Sequence, residues 1–139
     1  MIGFNYLGKL GQLGNQMFQY ASLIGVADKI GTSFCIPHHH EVMVDNLGNR
    51  LRIELFDAFD IKPDRVGFIP TDKNYQEGEF TFEEGAFQID TEHDTCLIGF
   101  FQTDRYFKHI QDRIRSEFAF KNEIKEECQD IVDCFDNPV

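Results

Sequence analysis

A glycine-hinged turn between a short apolar strand and a long amphipathic helix constrains this chain more than any other feature. Ile2 to Leu7 reads as the strand, and Gly8, Gly11 and Gly14 follow at even spacing before Asn15, Gln16 and the run Met17-Phe18-Gln19-Tyr20-Ala21. Glycine leaves room for close approach to the backbone, and a helix start directs unpaired N–H groups and a positive dipole end outward. A turn of this build suits a diphosphate. The two commonest phosphate loops are excluded. Lys9 and Gln12 break the glycine spacing of G-x-G-x-x-G, and no Gly-Lys-Ser/Thr ending follows.

The helix is predicted over about Gln16 to Lys29, where Met17, Phe18, Tyr20, Ala21, Ile24 and Ala27 recur at helical spacing and lay one face on a sheet, with Phe18 and Tyr20 read as core. Gly31 is its predicted stop, and Ser33–Ile36 the returning strand. A β–α–β unit of this kind demands a parallel sheet. Thr95 to Phe101 is apolar enough for a central strand, after which Thr103 caps a helix carrying Tyr106, Phe107, Ile110, Ile114 and Phe118. Residues 38–94 hold short apolar pieces between acidic, glycine-bearing turns and read as loops and edge strands. A last helix is predicted near Glu123 to Phe135, ended by Asp136-Asn137-Pro138, with Ile124, Cys128, Ile131 and Phe135 forming an apolar stripe that is expected to be partly exposed. The expected fold class is α/β, a Rossmann-like parallel sheet with flanking helices, and the chain is one domain in size.

A net charge of −11 with only 13 Lys and Arg argues against nucleic acid as a partner, because a polyanion needs a clustered basic surface. No apolar run is long enough for a membrane span and no signal peptide opens the chain, so a cytoplasmic protein is expected, with peripheral membrane association left open. Cys35, Cys96, Cys128 and Cys134 form no C-x-x-C pair or disulfide framework and are read as small buried hydrophobes. His38-His39-His40 is read as a solvated loop, since adjacent side chains diverge and no ligand set accompanies them. An Asp-x-Asp triplet, whose paired carboxylates could hold a divalent metal, is absent as well, so no metal site is expected.

The run Gly11-Gln12-Leu13-Gly14-Asn15-Gln16-Met17-Phe18-Gln19-Tyr20-Ala21 resembles the N-terminal motif of the α-1,2-fucosyltransferases, glycosyltransferase family 11, in which G-x-LGNQ-(M/L)-FQYA follows the first strand. Gly99-Phe100-Phe101-Gln102-Thr103-Asp104-Arg105-Tyr106-Phe107 is similar to the family's G-(Y/F)-(F/W)-Q-(S/T)-x-x-Y-F block, and Leu55 to Phe59 resembles a weaker family feature. The resemblance implies one half of a GT-B-like two-domain glycosyltransferase. Its reaction is inverting transfer of L-fucose from GDP-fucose, the donor substrate, to the 2-hydroxyl of a galactose-containing glycan acceptor, with no cofactor and no metal. The family's His-x-Arg-x-Gly-Asp motif, whose arginine is held to neutralise the departing diphosphate, does not occur in these residues. The chain therefore reads as the N-terminal half, 1–139, and is expected to bind donor weakly without turning it over.

Carried onto this sequence, the resemblance places donor contacts on Gln12, Leu13, Gly14, Asn15 and Gln16. Part of the counter-charge comes from oriented N–H groups and Lys9, and the rest is expected from the second half. Acceptor contacts fall on Gln102, Asp104 and Tyr106, and acceptor specificity on the loops of 38–94. Each has a plainer alternative: helix capping for Asn15, a helix first turn for Asp104, core packing for Tyr106. Gln102 ends a predicted parallel strand, where α/β folds present ligand groups. No single carboxylate among the 24 acidic residues is marked as the general base. Two rival readings are a protein O-fucosyltransferase, which shares G-x-x-GNQ but usually lacks the FQYA continuation, and a non-catalytic carbohydrate-binding or interaction module.

Overall fold

The turn-and-helix segment folds into a β–α–β unit in the computed structural model, which describes residues 1–135. Strand β1 (Ile2–Gly3) leads through the glycine turn into α1 (Leu13–Ile30) and back to β2 (Phe34–Ile36). A hairpin of β3 (Val42–Val44) and β4 (Arg50–Arg52) follows, then α2 (Leu55–Ala58), β5 (Arg65–Val66), β6 (Asn74–Gln76) and β7 (Thr95–Ile98). Helices α3 (Gln111–Glu117) and α4 (Asn122–Asp133) come last among the described residues, with 3₁₀ turns at Glu84–Gln88, Asp104–Tyr106 and Lys108–Ile110.

Five strands pair in the order β5-β2-β1-β7-β6, all parallel. The architecture is thus an α/β parallel sheet with flanking helices, compatible with a Rossmann-like fold. Residues 38–94 supply both edge strands, β5 and β6, together with the hairpin. The chain runs outward from β1 to β2 on one side and returns through β7 on the other, so the order reverses between β1 and β7. In open α/β sheets that reversal, at the carboxyl ends of the strands, is where ligands bind.

Ile2 lies in register with Phe34 and Thr95. The core against which α1 packs includes Ile2, Phe34, Ile36 and Leu97 with Tyr20, Leu23, Ile24 and Ala27. Gly3, in register with Cys35 and Cys96, turns to the opposite face. There the segment between β5 and β6 crosses, and a Cβ on Gly3 would fall 2.3 Å from Ile69 Cδ1. Asn5 clamps that crossing: its Nδ2 donates to Ile69 O at 3.0 Å and its Oδ1 accepts from Ile69 N at 2.9 Å. This side-chain pairing is why β1 stops at Gly3 rather than running to Leu7, the chain turning instead through Leu7 N–H to Phe4 O and Lys9 N–H to Tyr6 O.

Gly31 ends α1 as expected, at φ 73°, with its N–H on Asp28 O and that of Thr32 on Ala27 O. Gly25 is required inside the helix, since a Cβ there would lie 2.1 Å from Tyr106 O. Strand β7 ends at Ile98 rather than Phe101, because Gly99 at φ 143° and Phe101 at φ 51° reverse the chain. A positive φ is rare for a bulky residue. Glu77 Oε1 holds it here by accepting the Phe101 N–H at 3.1 Å. The segment beyond Thr103 is not one helix: Thr103 Oγ1 caps a 3₁₀ turn, a second 3₁₀ turn follows, and α3 begins only at Gln111.

Two core readings are corrected. Tyr20 is fully buried, its hydroxyl donating to Glu117 Oε2 at 3.0 Å, but Phe18 is 38% exposed at the edge of the Phe107 ring. Cys35 and Cys96 are buried, whereas Cys128 and Cys134 are exposed on and just after α4. The apolar stripe expected there stays in solvent, Ile131 on α4 at 61% exposed and Phe135 beyond its end at 66%. Its predicted stop, Asp136-Asn137-Pro138, lies outside the described residues.

Candidate functional site

At the carboxyl edge of the sheet the glycine turn faces a recess of about 460 Å³, walled on the far side by the β3–β4 hairpin. The glycines, equivalent in sequence, have three different roles. A Cβ on Gly8, which has φ 87°, would meet the carbonyl carbon of Arg52 and the nitrogen of Ile53 at 2.9 Å, so this glycine admits the hairpin's own backbone. A Cβ on Gly11 would meet the Asn15 side chain at 2.5 Å. Gly14 alone faces open space, with nothing within 4 Å of a Cβ.

The amides of the first motif are divided in the same way. Gln16 is 1% exposed, and its side chain latches three backbone groups: Nε2 donates to Gly11 O at 3.1 Å and Arg52 O at 3.0 Å, while Oε1 accepts from Glu54 N at 2.7 Å. A buried amide satisfied by the chain has nothing left for a ligand, so Gln16 is a structural latch rather than a donor contact. Leu13 packs against the core. Asn15 lies inside α1 and caps nothing; the N-cap is Gln12, whose exposed side chain makes no capping bond. Asn15 Oδ1 instead accepts from Gln102 Nε2.

That bond is one of three joining α1 to the second motif across the β1–β7 reversal, the others running from Gln19 Nε2 to Gly99 O at 2.9 Å and from Ser22 Oγ, one residue past the first motif, to Phe101 O at 3.2 Å. Exposed Gln102 thus sits beside Asn15, while Asp104 is exposed as the first residue of its 3₁₀ turn. Tyr106 is fully buried, and core packing accounts for it rather than contact with an acceptor. Its hydroxyl donates to Glu77 Oε2 at 3.2 Å and accepts from Glu83 N at 3.0 Å; burial pushes its pKa up to about 12.

The charged groups at this edge were not marked by sequence spacing. Lys9 is turned aside, its Nζ 5.0 Å from the centre of the Phe68 ring and 5.8 Å from that of Tyr6. The recess is lined instead by Arg50, Arg52, Asp45 and Glu54. Arg52 is ion-paired with Asp57. Asp45 closes the hairpin turn, accepting from Leu47 N, Asn49 N and Asn49 Nδ2, and the Asn49 side chain leads in holding its carboxyl below the usual range. The only signal that could have found Arg50 and Arg52 is their alternation around Leu51 in a short strand, which puts both on one face.

His38, His39 and His40 are exposed, as a solvated loop should be, and among the described residues no group of three His, Cys, Asp or Glu is placed to share a metal ion. Among those residues, too, no helix is long and apolar enough to cross a membrane. Comparison with protein-family models, with curated proteins and with solved structures gave no match.

Proposed function

We propose that the chain is the donor-side, Rossmann-like half of a GT-B-like glycosyltransferase that moves L-fucose from GDP-fucose to the 2-hydroxyl of a galactoside with inversion. One observation carries the reading: the turn that resembles the family motif opens, at Gly11 and Gln12, onto a recess at the carboxyl edge of a parallel sheet. An edge of that kind is where α/β folds take nucleotide ligands. The N–H groups of the first turn of α1 have no intrahelical acceptor, and no acidic side chain occupies that turn to compete with a phosphate. The second resembling block supports the same reading, because its Gln102 is bonded to Asn15 at the point where the strand order reverses.

Chemically, such a site supplies donors aimed at the charge that grows on a departing nucleoside diphosphate. Gln12 and the α1 N–H groups are the candidates on this chain, and the unobstructed Gly14 lets a ligand reach the backbone. Donor binding rather than turnover is the readout, since the family's His-x-Arg-x-Gly-Asp is not among these residues. In a titration of ¹⁵N-labelled chain, GDP-fucose is expected to shift the amides of Gly11 to Asn15 and to do so more strongly than GDP-mannose. Equal response to the two sugars, or no response at that turn, refutes the reading.

A further inference from the structure

The recess is not a uniformly basic anion hole, and its charge pattern says how a ligand would lie in it. Of the four charged side chains on its wall, Arg52 is taken by Asp57 and Asp45 by its own hairpin turn. Among the described residues, the Arg50 guanidinium and the Glu54 carboxylate make no ion pair or side-chain hydrogen bond. The Glu54 backbone alone is engaged, its N–H by Gln16 and its carbonyl by the Asp57 N–H. What remains is one cation and one anion on a single short segment, fixed against the glycine turn by Gln16 and by the contact of Gly8 with Arg52 and Ile53.

A guanidinium matches phosphate oxygens with two parallel donors, and a carboxylate accepts hydroxyl protons but repels phosphate. A bare polyanion is therefore poorly matched, and a phosphate joined to a hydroxyl-bearing ring is well matched. We propose that the recess takes a phosphate-linked sugar in one orientation, the phosphate on Arg50 and the sugar hydroxyls on Glu54 and the Gln12 amide. The inference rests on the sugar-nucleotide reading above and deepens it: counter-charge expected from elsewhere is present on this chain's own hairpin.

The test uses the full 139-residue chain, calorimetric titration with inorganic pyrophosphate and with GDP-fucose, and circular dichroism to establish that each variant is folded. Arg50→Ala is expected to weaken both ligands about tenfold or more, and Arg50→Lys, which keeps a point charge but loses the fork, to weaken them less. Glu54→Gln is expected to weaken GDP-fucose about tenfold while leaving pyrophosphate unchanged or tighter, because a repelling charge has gone. Pyrophosphate binding that ignores Arg50→Ala, a Glu54→Gln effect equal for both ligands, or no binding of either ligand overturns the proposal. If the variants separate the ligands as stated but GDP-mannose binds as well as GDP-fucose, the orientation stands and the fucosyl reading falls. If GDP-fucose is preferred over GDP-mannose but Arg50→Ala changes nothing, the reverse holds.

Discussion

Replacing Gln16 by alanine should destabilise the whole protein and blunt its recess at once, because one side chain performs both tasks. The amide makes three hydrogen bonds in a nearly solvent-free position, to Gly11 O, Arg52 O and Glu54 N. Each such bond contributes about 1 kcal/mol net, so the direct loss is about 3 kcal/mol, with the upper end reached if water cannot replace the side chain. Set against a typical total of about 5–15 kcal/mol, that is a large fraction. Urea unfolding followed by circular dichroism should show a midpoint about 1–3 M lower, with an unchanged slope. Gln12→Ala is the control: that exposed side chain makes no capping bond, so the change should stay within about 0.5 kcal/mol. Gln16→Glu adds a sign. The introduced carboxylate keeps an acceptor for Glu54 N–H but faces the carbonyls of Gly11 and Arg52. Its folded pKa is then raised, so the variant should be most stable in acid and weaken as pH climbs. A loss below about 1 kcal/mol for Gln16→Ala would refute the latch.

Gly14→Ala should stabilise α1 by up to about 1 kcal/mol, since nothing opposes a Cβ there and alanine is the better helix former, while weakening GDP-fucose binding; a melt and a titration on the same sample read both. Native chain should react quickly with a thiol reagent at Cys128 and Cys134, and at Cys35 and Cys96 only after denaturation, because the latter pair are buried and burial raises their pKa; mass spectrometry of the labelled peptides checks this. Glu83 is held below the ordinary carboxyl value of 4.5, first by the Tyr75 hydroxyl and then by the Gly78 N–H. A depressed folded pKa contributes stability above the unfolded value that is lost as pH falls through the folded one. The melting temperature should therefore drop below about pH 4.5, and less steeply in Glu83→Gln.

The sheet and its first helix were legible because they rest on local signals. Apolar residues at helical spacing set α1, Gly31 stopped it, and a strand on each side of a helix left only a parallel pairing. The ends of β1 and β7 were not legible, because each is fixed by a residue distant in sequence. Asn5 clamps Ile69, and Glu77 takes the N–H of Phe101. Phe18 was misread for a related reason. Helical spacing marks a stripe, but what covers the stripe's margin is decided by Phe107, on a segment that folds as 3₁₀ turns. Arg50 and Glu54 were invisible because their importance is a matter of which neighbours are already spent.

The same reasoning limits what a run of matching residues can say about chemistry. Within Gly11 to Ala21, Gln16, Gln19 and Ser22 just beyond it bind backbone carbonyls of Gly11, Gly99 and Phe101, and Asn15 binds Gln102. These bonds are reason enough for two blocks of sequence to occur together, since each buried amide or hydroxyl needs its partner from the other block or from its own turn. A ligand is not required to explain them. What the bonds between chain segments leave over is Gly14, where no chain atom would meet a side chain, and the Arg50 guanidinium and Glu54 carboxylate on the wall of the recess, and on these the proposed ligand rests. If Gly14→Ala gains stability and loses nothing in binding, the turn is a structural hinge and the sugar-nucleotide reading loses its strongest support.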